Sequence, residues 1–342
     1  MGDILHAMPA VAALRAALPT SQIGWAIKPQ WTALLQAESG VGAQAGSPEM
    51  PLVNLLHRVP ADAWARRPLS IRTLREIAAL RVDLRCEKYD VCLDLQGAVR
   101  SALIGRMAGA ARMVGESQPR EPLARWIFSE RVATHKAHMI EQAQELVEAF
   151  LSRPLTLPLT PLPYDAAVEK ECERWLQEKK IKRYVVVNPG AGWGAKRWPA
   201  ERFGQLAQEL AQMGYTVLVN AGPGEDVLAQ QVIAASGGRA IAVRGSVGRL
   251  IAIMRRASLF VGGDTGPLHL AAALQKPVVG IYGPTDPARN GPFGTHARVL
   301  RHPESRRDHT RHQAPEGGLL TIQVSDVLQA AQELLLDEGK MS

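Results

Sequence analysis

The sequence predicts an α/β protein of two domains, each organised around a parallel β-sheet that is covered by helices. Short apolar runs that suit buried strands alternate with helical segments in both halves of the chain. A proline-rich segment, Leu151 to Tyr164, separates the two halves. The length of 342 residues also favours two domains over one. We expect a first domain at 1–155 and a second at 156–342.

The N-terminal half begins with a helix, although an α/β domain usually begins with a strand. Ala10, Val11, Leu14 and Leu18 predict this helix by their spacing, and we expect the first strand of the N-terminal sheet to be missing. The segment 51–68, rich in Pro and Arg, is predicted to be irregular. The other predicted elements of this half are strands at 23–27, 89–95 and 111–115 and helices at 71–85, 98–107 and from His138 to Phe150.

The C-terminal half repeats the alternation more regularly. Its predicted strands are at 184–188, 216–220, 241–243, 259–261 and 277–282. Its predicted helices are at 165–180, 199–214, 225–235, 247–256, 268–274 and 324–336. A polar, basic stretch at 304–318 gives few structural signals.

Loops of small residues follow consecutive predicted strands in the C-terminal half. NPGAGWGAKRW (188–198) brings Lys196, which can place a charge on phosphate oxygens. The loop 220–225 ends in Glu225, a carboxylate that suits ribose hydroxyls, and the loop 244–247 can flank a base. The turn DTGPLH (264–269) leads into a helix, whose N-terminus attracts phosphate. Together these loops predict a nucleotide diphosphate site.

Each of these features also has an ordinary structural explanation. Gly-rich loops are usually turns, and we expect Asp264 or Thr265 to cap the following helix. His269, inside an apolar helix, is more often a core histidine with satisfied hydrogen bonds. Asp3, at the head of the first helix, is either an N-cap or a general base that faces the nucleotide half, and the sequence leaves both open.

Charge and composition narrow the class of ligand. The net charge is +7 with a pI near 9.5, but the basic residues are scattered, which favours a phosphorylated small molecule or an anionic glycolipid over a nucleic acid. No Asp-x-Asp pair is present to hold a metal on a sugar nucleotide, so we expect Lys196 and a helix N-terminus to neutralise the phosphates.

Cysteine usage and hydropathy indicate the compartment. Three cysteines without zinc spacing suit reduced thiols in the cytoplasm. No apolar run approaches the ~18 to 20 residues of a membrane span, so any membrane contact is expected to be peripheral.

Several segments together resemble a known family. They are GDILHAMPAVAAL (2–14), YDVCLDLQGAVRSAL (89–103), REPLARWIF (120–128), NPGAGWGAKRWPAERF (188–203) and GGDTGPLHLAAALQKPVVGIYGPTDP (262–287). In this order they resemble the ADP-heptose:lipopolysaccharide heptosyltransferases, glycosyltransferase family 9, and the second and third look closer to the heptosyltransferase I branch. The resemblance implies a GT-B fold, in which two Rossmann-like domains face each other across a cleft.

The family resemblance also implies an activity, which is inverting transfer of heptose from ADP-heptose to a Kdo residue of the lipopolysaccharide inner core, without metal or other cofactor. Asp3 matches the catalytic base. The residues that match donor-binding positions are Lys196, Glu225, Asp264, Thr265, Gly266 and His269. Those on the acceptor side, for an anionic acceptor of the Kdo-lipid A type, are Arg66, Arg67, Arg120 and His138.

Three alternatives differ in class or in substrate. A dinucleotide-dependent oxidoreductase requires a GxGxxG fingerprint, which the chain lacks. A non-catalytic nucleotide-sugar-binding protein would bind nucleotide without turnover, because the half that carries Asp3 lacks the expected first strand. A family 9 transferase that uses another nucleotide sugar would share every motif above.

Overall fold

The computed structural model describes residues 1–40, 42–305 and 313–341. The chain forms two compact units. One is His6–Tyr164, the N-terminal unit, and the other combines Met1–Leu5 with Asp165–Ser342, the C-terminal unit. The change of unit therefore falls at the end of the proline-rich segment. The sequence did not indicate that the first five residues belong with the C-terminal half.

The described residues of the N-terminal unit form five short strands and five α-helices, and the first helix begins in the C-terminal unit. In chain order they are α1 (Gly2–Ala17), β1 (Gly24–Ile27), β2 (Leu55–Arg58), α2 (Ala61–Arg66), α3 (Ile71–Cys86), β3 (Val91–Asp94), α4 (Val99–Ala108), β4 (Arg112–Glu116), β5 (Glu130–Val132) and α5 (Met139–Leu151). Pro29–Leu34 and Pro122–Trp126 form 3₁₀ helices. All strand pairs are parallel, in two sheets of order β1-β2 and β3-β4-β5.

Two features of this unit concern the predictions. Helix α1 begins at Gly2, as the spacing of its apolar residues predicts, and the residues from Leu5 to Leu14 are buried. The prediction that 51–68 is irregular is wrong, because Leu55–Arg58 pairs with β1 and α2 follows directly. The strand has only four residues beside two prolines, too few for an alternating pattern to be visible in the sequence.

The C-terminal unit is regular. Its elements are α6 (Ala166–Glu178), β6 (Tyr184–Asn188), α7 (Ala200–Gln212), β7 (Thr216–Asn220), α8 (Asp226–Ala235), β8 (Ala240–Val243), α9 (Val247–Arg256), β9 (Leu259–Gly263), α10 (Gly266–Ala273), β10 (Val278–Tyr282), α11 (Pro287–Asn290), β11 (Ala297–Arg301), α12 (Gly317–Thr321) and α13 (Val324–Met341), with a 3₁₀ turn at Gly194–Lys196. The strands form one parallel sheet of order β11-β10-β9-β6-β7-β8.

This sheet has a hydrophobic layer on each face. Alternate residues of β6 point to opposite sides, so Val185 and Val187 pack with one cluster and Tyr184 and Val186 with the other. The first cluster includes side chains of α7, α8 and α13, and the second includes side chains of α6, α9 and α10. A parallel sheet covered on both faces is the architecture that the strand and helix alternation predicts.

The order of the strands determines where a ligand can approach. The first strand of this sheet along the chain, β6, lies in its middle, and β7 and β8 extend the sheet to one edge. The chain then returns to the other side of β6, where β9, β10 and β11 extend the sheet to the opposite edge. The switch point of the sheet therefore lies between β6 and β9, and ligands of open α/β sheets bind at the carboxyl ends of strands there. Among the helices that the structure describes, none is long and apolar enough to cross a membrane.

Candidate functional site

The candidate site lies where β6 and β9 end. Asn188, the last residue of β6, is level with Gly262 of β9. β9 ends at Gly263, and α10 begins three residues later at Gly266. The turn predicted from DTGPLH thus stands at the switch point, beside the Gly-rich loop that follows β6.

A buried ion cluster occupies this turn. The Asp264 carboxylate accepts a hydrogen bond from Lys196 Nζ at 2.6 Å through Oδ2, and its Oδ1 lies 3.1 Å from His269 Nε2. All three side chains are largely shielded from solvent. Burial raises the pKa of Asp264, but the hydrogen bond from His269 and the positive charge of Lys196 outweigh it and hold the pKa well below its usual range. The carboxylate is therefore ionised, and it fixes the lysine and the histidine at one point.

The N-terminus of α10 is not capped as expected. Thr265 is the N-cap residue, but its side chain accepts no hydrogen bond from the backbone of the first turn. Its hydroxyl instead donates to the Gly263 carbonyl at 3.2 Å and lies 3.5 Å from Asn188 Nδ2. The first N–H groups of α10 are consequently not occupied by a side-chain cap and can donate to an anion.

Two asparagines connect this turn to the loop after β7. The Asn188 amide donates to the Gly190 carbonyl at 2.8 Å, and Asn220 Nδ2 donates to Asn188 Oδ1 at 2.6 Å. Each asparagine is the last residue of its strand, β6 or β7. The sequence prediction included the loops that begin at these residues but missed this role. The signal was available, since both are polar residues that end apolar strands.

Glu225 closes the second loop against the first. Its Oε2 accepts a hydrogen bond from the Gly222 N–H at 2.8 Å. A Cβ placed on Gly190 would lie 2.0 Å from Glu225 Oε1, so only glycine lets the carboxylate approach this backbone. The loops after β6 and β7 thus form one surface with a carboxylate at its edge.

The loop that carries Lys196 is held from two sides. Lys196 Nζ lies 4.6 Å from the centre of the Trp193 ring, a cation–π contact that the sequence did not predict. The backbone of Gln313 packs onto Gly194, and the Glu316 N–H donates to the Ala195 carbonyl at 3.2 Å. The C-terminal end of the polar stretch 304–318 therefore packs on this loop, and α12 starts within it. Residues 306–312 lie outside the described residues.

The start of the chain reaches the same turn. Met1 and Gly2 belong to the C-terminal unit. A Cβ at Gly266 would meet the Met1 side chain at 2.6 Å, and one at Gly2 would lie 3.4 Å from His269 Cδ2. Asp3 follows directly in the first turn of α1 and is exposed to solvent. The structure thus places the segment that carries Asp3 beside His269 and Gly266.

The four residues predicted for the acceptor lie on separate elements of the N-terminal unit. Arg66 ends α2, and Arg67 follows it, both exposed. Arg120 is exposed and lies in a loop. The next residue, Glu121, attaches this loop to Gly97, because its N–H donates to the Gly97 carbonyl at 2.8 Å. His138 is buried and caps α5, since its Nδ1 accepts the Ile140 N–H at 3.2 Å. A structural role thus accounts for one ring nitrogen of His138.

The potential metal ligands of the described chain are dispersed. Within residues 1–40, 42–305 and 313–341, no group of three or more His, Cys, Asp or Glu side chains is arranged to hold a metal ion. Positive charge at the turn comes from the Lys196 ammonium and from the partial charge at the N-terminus of α10.

Comparison with known proteins identifies the family. The model of glycosyltransferase family 9 (heptosyltransferase) matches residues 77–319. The chain belongs to glycosyltransferase family 9. The resemblance that the sequence motifs indicated is therefore confirmed, and the protein is a glycosyltransferase.

Individual relatives agree with the family assignment. Lipopolysaccharide heptosyltransferase 1 of Escherichia coli K12 is 28% identical over 323 residues, 89% of this chain and 91% of the relative. Lipopolysaccharide heptosyltransferase 3 of the same strain is 24% identical over 348 residues, 99% of this chain and 96% of the relative. The solved E. coli heptosyltransferase WaaC with ADP has a TM-score of 0.76 at 24% identity and covers 97% of this chain and 96% of its own. The predicted α/β fold of the GT-B heptosyltransferases is confirmed.

Proposed function

We propose that this family 9 enzyme transfers heptose from ADP-L-glycero-D-manno-heptose to a Kdo residue of the lipopolysaccharide inner core, with inversion and without metal. The observation that carries the proposal is the cluster of Lys196, Asp264 and His269 at the switch point, beside the uncapped N-terminus of α10. The segments DLQG (94–97) and REPLA (120–124) resemble the heptosyltransferase I branch and favour a Kdo acceptor.

The donor would bind along the surface formed by the loops after β6, β7 and β9. The diphosphate of ADP-heptose carries negative charge that the ammonium of Lys196 and the α10 N–H groups at Thr265 and Gly266 can neutralise. Asp264 holds Lys196 and His269 at this point. Glu225, at the edge of the same surface, can accept hydrogen bonds from the ribose hydroxyls.

The chemistry needs a base and a stabilised leaving group. Asp3, exposed beside the turn, would take the proton of a Kdo hydroxyl as its oxygen attacks the anomeric carbon of the heptose. The bond between that carbon and the phosphate oxygen breaks, and ADP leaves with the electron pair. Lys196 and the helix N-terminus would stabilise the charge that develops on the departing diphosphate. A single displacement of this kind inverts the anomeric configuration.

The acceptor side is proposed to be basic. Arg66, Arg67 and Arg120 are exposed cations of the N-terminal unit and would contact the anionic groups of an acceptor of the Kdo-lipid A type. His138, which is buried, is proposed to serve the same acceptor. Because that acceptor is anchored in lipid, we propose that the enzyme works in the cytoplasm, in peripheral contact with the inner membrane.

Transfer from ADP-heptose to a Kdo-bearing acceptor, measured in the presence of EDTA, tests the proposal. Asp3→Asn should lower kcat at least about a hundredfold, the usual contribution of a general base, and leave ADP affinity within a few-fold. Asp90→Asn, which removes an exposed carboxylate elsewhere, should leave both unchanged. Unaltered turnover in Asp3→Asn would remove Asp3 from its role. ADP binding without transfer by the unmodified chain would favour a binding protein.

A further inference from the structure

Helix α3 of the N-terminal unit is apolar on two opposite sides. One side is buried, since Thr73, Leu80 and Leu84 are turned into the protein, and both leucines join the cluster that includes Val59 and Ala108. A surface helix normally presents charged and polar residues on the side opposite to its buried one. In α3 that side is instead rich in large aliphatic residues.

The outward side forms a continuous stripe. Ile71, Leu74, Ala78 and Val82 follow one another at intervals of three or four residues, which places them on one face of the helix. Ile71 is 69% exposed, Leu74 54% and Val82 60%, and Leu69, just before the helix, is 87% exposed. Four exposed aliphatic side chains in a segment of this length form a patch of the kind that marks an interaction surface.

Cations border this stripe. Helical spacing puts Arg75, Arg81 and Arg85 on the outward half of α3, and all three are exposed. None of the three is paired with a carboxylate among the residues that the structure describes. The nearby carboxylate of Glu76 points away to the flank, where it accepts from Arg72 and from the Trp64 indole. Two further carboxylates of this segment, Asp83 and Glu87, lie near enough to His57 of β2 to act on its pKa. The three unpaired arginines outnumber them, so the net charge along the stripe is positive.

We infer that the outward face of α3, consisting of Leu69, Ile71, Leu74, Ala78 and Val82 with Arg75, Arg81 and Arg85, docks on an anionic phospholipid surface. An apolar stripe bordered by arginines suits the boundary between acyl chains and anionic headgroups, where the aliphatic groups leave water and the guanidinium groups meet phosphate. A protein partner would need acidic groups around an apolar groove, and a second copy of this chain would bring its own arginines against these. The charge thus favours the membrane over a second copy. The inference rests on the proposed function for its setting, but it is tested by vesicle binding, which does not depend on transfer.

Vesicle co-sedimentation tests the assignment with the full chain. Vesicles of phosphatidylcholine with phosphatidylglycerol, free of any Kdo acceptor, are compared with vesicles of phosphatidylcholine alone. The unmodified protein should bind the anionic vesicles more tightly, and added salt should weaken binding because it screens the headgroup charge. The charge variant Arg75→Gln/Arg81→Gln/Arg85→Gln should lose about a hundredfold in partition coefficient, given about tenfold or less for each cation.

The apolar contribution needs its own variant and control. Ile71→Ser/Leu74→Ser/Val82→Ser should lower the partition coefficient at least about tenfold, whereas Leu159→Ser/Leu336→Ser, which removes exposed leucines elsewhere, should not. These side chains lie outside the core, so circular dichroism and the thermal midpoint should be unchanged.

Equal binding of both vesicle types, or full binding by the α3 variants, would overturn the inference. So would a change in sedimentation velocity that shows a dimer dependent on this face, without a change in vesicle binding. Transfer to a soluble acceptor should be unaffected in all variants, which separates this inference from the proposed function.

Discussion

Asp264 is the residue that organises the candidate site. It has one partner on each carboxylate oxygen, Lys196 from the loop after β6 and His269 from α10. A carboxylate does not attract a diphosphate, because both are negatively charged. Asp264 can therefore favour an anionic ligand only indirectly, through the two side chains that it positions. It holds the Lys196 ammonium and the His269 imidazole at the strand ends and cancels part of the lysine charge. This balance leads to two predictions.

The first prediction concerns nucleotide affinity. Lys196→Met removes the ammonium but leaves the Asp264 carboxylate facing the diphosphate, so ADP affinity should fall by about 1 to 3 kcal/mol, the scale of a charge-assisted hydrogen bond. The double variant Lys196→Met/Asp264→Asn removes the repulsion as well and should recover part of the loss. Isothermal titration of ADP measures both. Lys182→Met, at an exposed lysine of the same unit, is the control. Equal affinity in the single variant and the unmodified chain would place the diphosphate elsewhere.

The second prediction concerns pH. The pKa of Asp264 is lowered in the folded state, so its ionised form stabilises the fold at a pH above the ordinary value near 4, and this stability is lost as the pH falls through the folded pKa. Asp264→Asn should therefore lower the thermal midpoint most at about pH 7, and the difference should begin to shrink only as the pH falls below about 4 towards the folded pKa. Scanning calorimetry of both proteins measures the difference. Glu201→Gln, at an exposed carboxylate, should show no such trend. A difference that is constant with pH would mean that Asp264 acts through packing alone.

At the scale of elements, one buried ion cluster joins α6 to α9. Glu169, in the first turn of α6, is almost fully buried, and its two oxygens meet Arg255 at 3.2 Å and Arg256 more closely. The pKa of Arg256 is raised because its hydrogen bond and charge interaction with Glu169 outweigh burial, which would lower it. This carboxylate therefore attaches α6, the first helix after the proline-rich segment, to the C-terminal end of α9.

Removing the charge of Glu169 should weaken this attachment. Glu169→Gln leaves two partly buried guanidinium groups without a counter-charge, and we expect a loss of about 3 kcal/mol in the free energy of unfolding, the scale of breaking a buried ion pair. Urea unfolding followed by tryptophan fluorescence measures the loss. Glu173→Gln, one turn further along the same helix and exposed, should cost much less. If the two variants were equally stable, the cluster would not hold α6.

The predictability of the elements follows their length and burial. The strands Tyr184–Asn188 and Thr216–Asn220 and the helix Val247–Arg256 were predicted with the bounds that the structure has, because each has a clear apolar pattern. The strands β2, β5 and β11 were missed. β5 has only three residues, Glu130–Val132, and β11 is Ala-Arg-Val-Leu-Arg at the edge of the sheet, where polar side chains are tolerated.

The residues of the candidate site were predictable where charged or polar residues follow closely after the end of a strand. Lys196, Asp264 and His269 come together in the structure as the loops suggested. Asp264 or Thr265 was expected to cap α10. Thr265 is the N-cap residue, but its hydroxyl contacts Gly263 and Asn188 and makes no capping hydrogen bond. The link from Asn188 to Asn220 and the contact of Met1 with Gly266 depend on residues far apart in the chain, and local patterns carry no such information.

At the scale of the whole molecule, each unit has cores of its own. The C-terminal unit has a cluster on each face of its sheet, and the N-terminal unit has smaller clusters, such as the one of Ala10, Leu14, Ala143 and Val147. Lys196, Glu225 and the residues of the turn all belong to the C-terminal unit, and the segment of Asp3 joins them. A ligand that binds these residues should therefore stabilise one unit directly.

Calorimetry with ADP tests this division. We expect two unfolding transitions, because separate cores unfold cooperatively by themselves. ADP at about a hundred times its dissociation constant adds about 2.7 kcal/mol to the state that binds it, so it should raise one midpoint by roughly 5 to 10 °C and move the other little. Glu169→Gln should lower the midpoint that ADP raises, and Val147→Ala, in the N-terminal core, should lower the other. A single transition that moves as a whole would show that the two units unfold together. If ADP instead raised the midpoint that Val147→Ala lowers, the nucleotide would bind the N-terminal unit and the proposed donor site would be wrong.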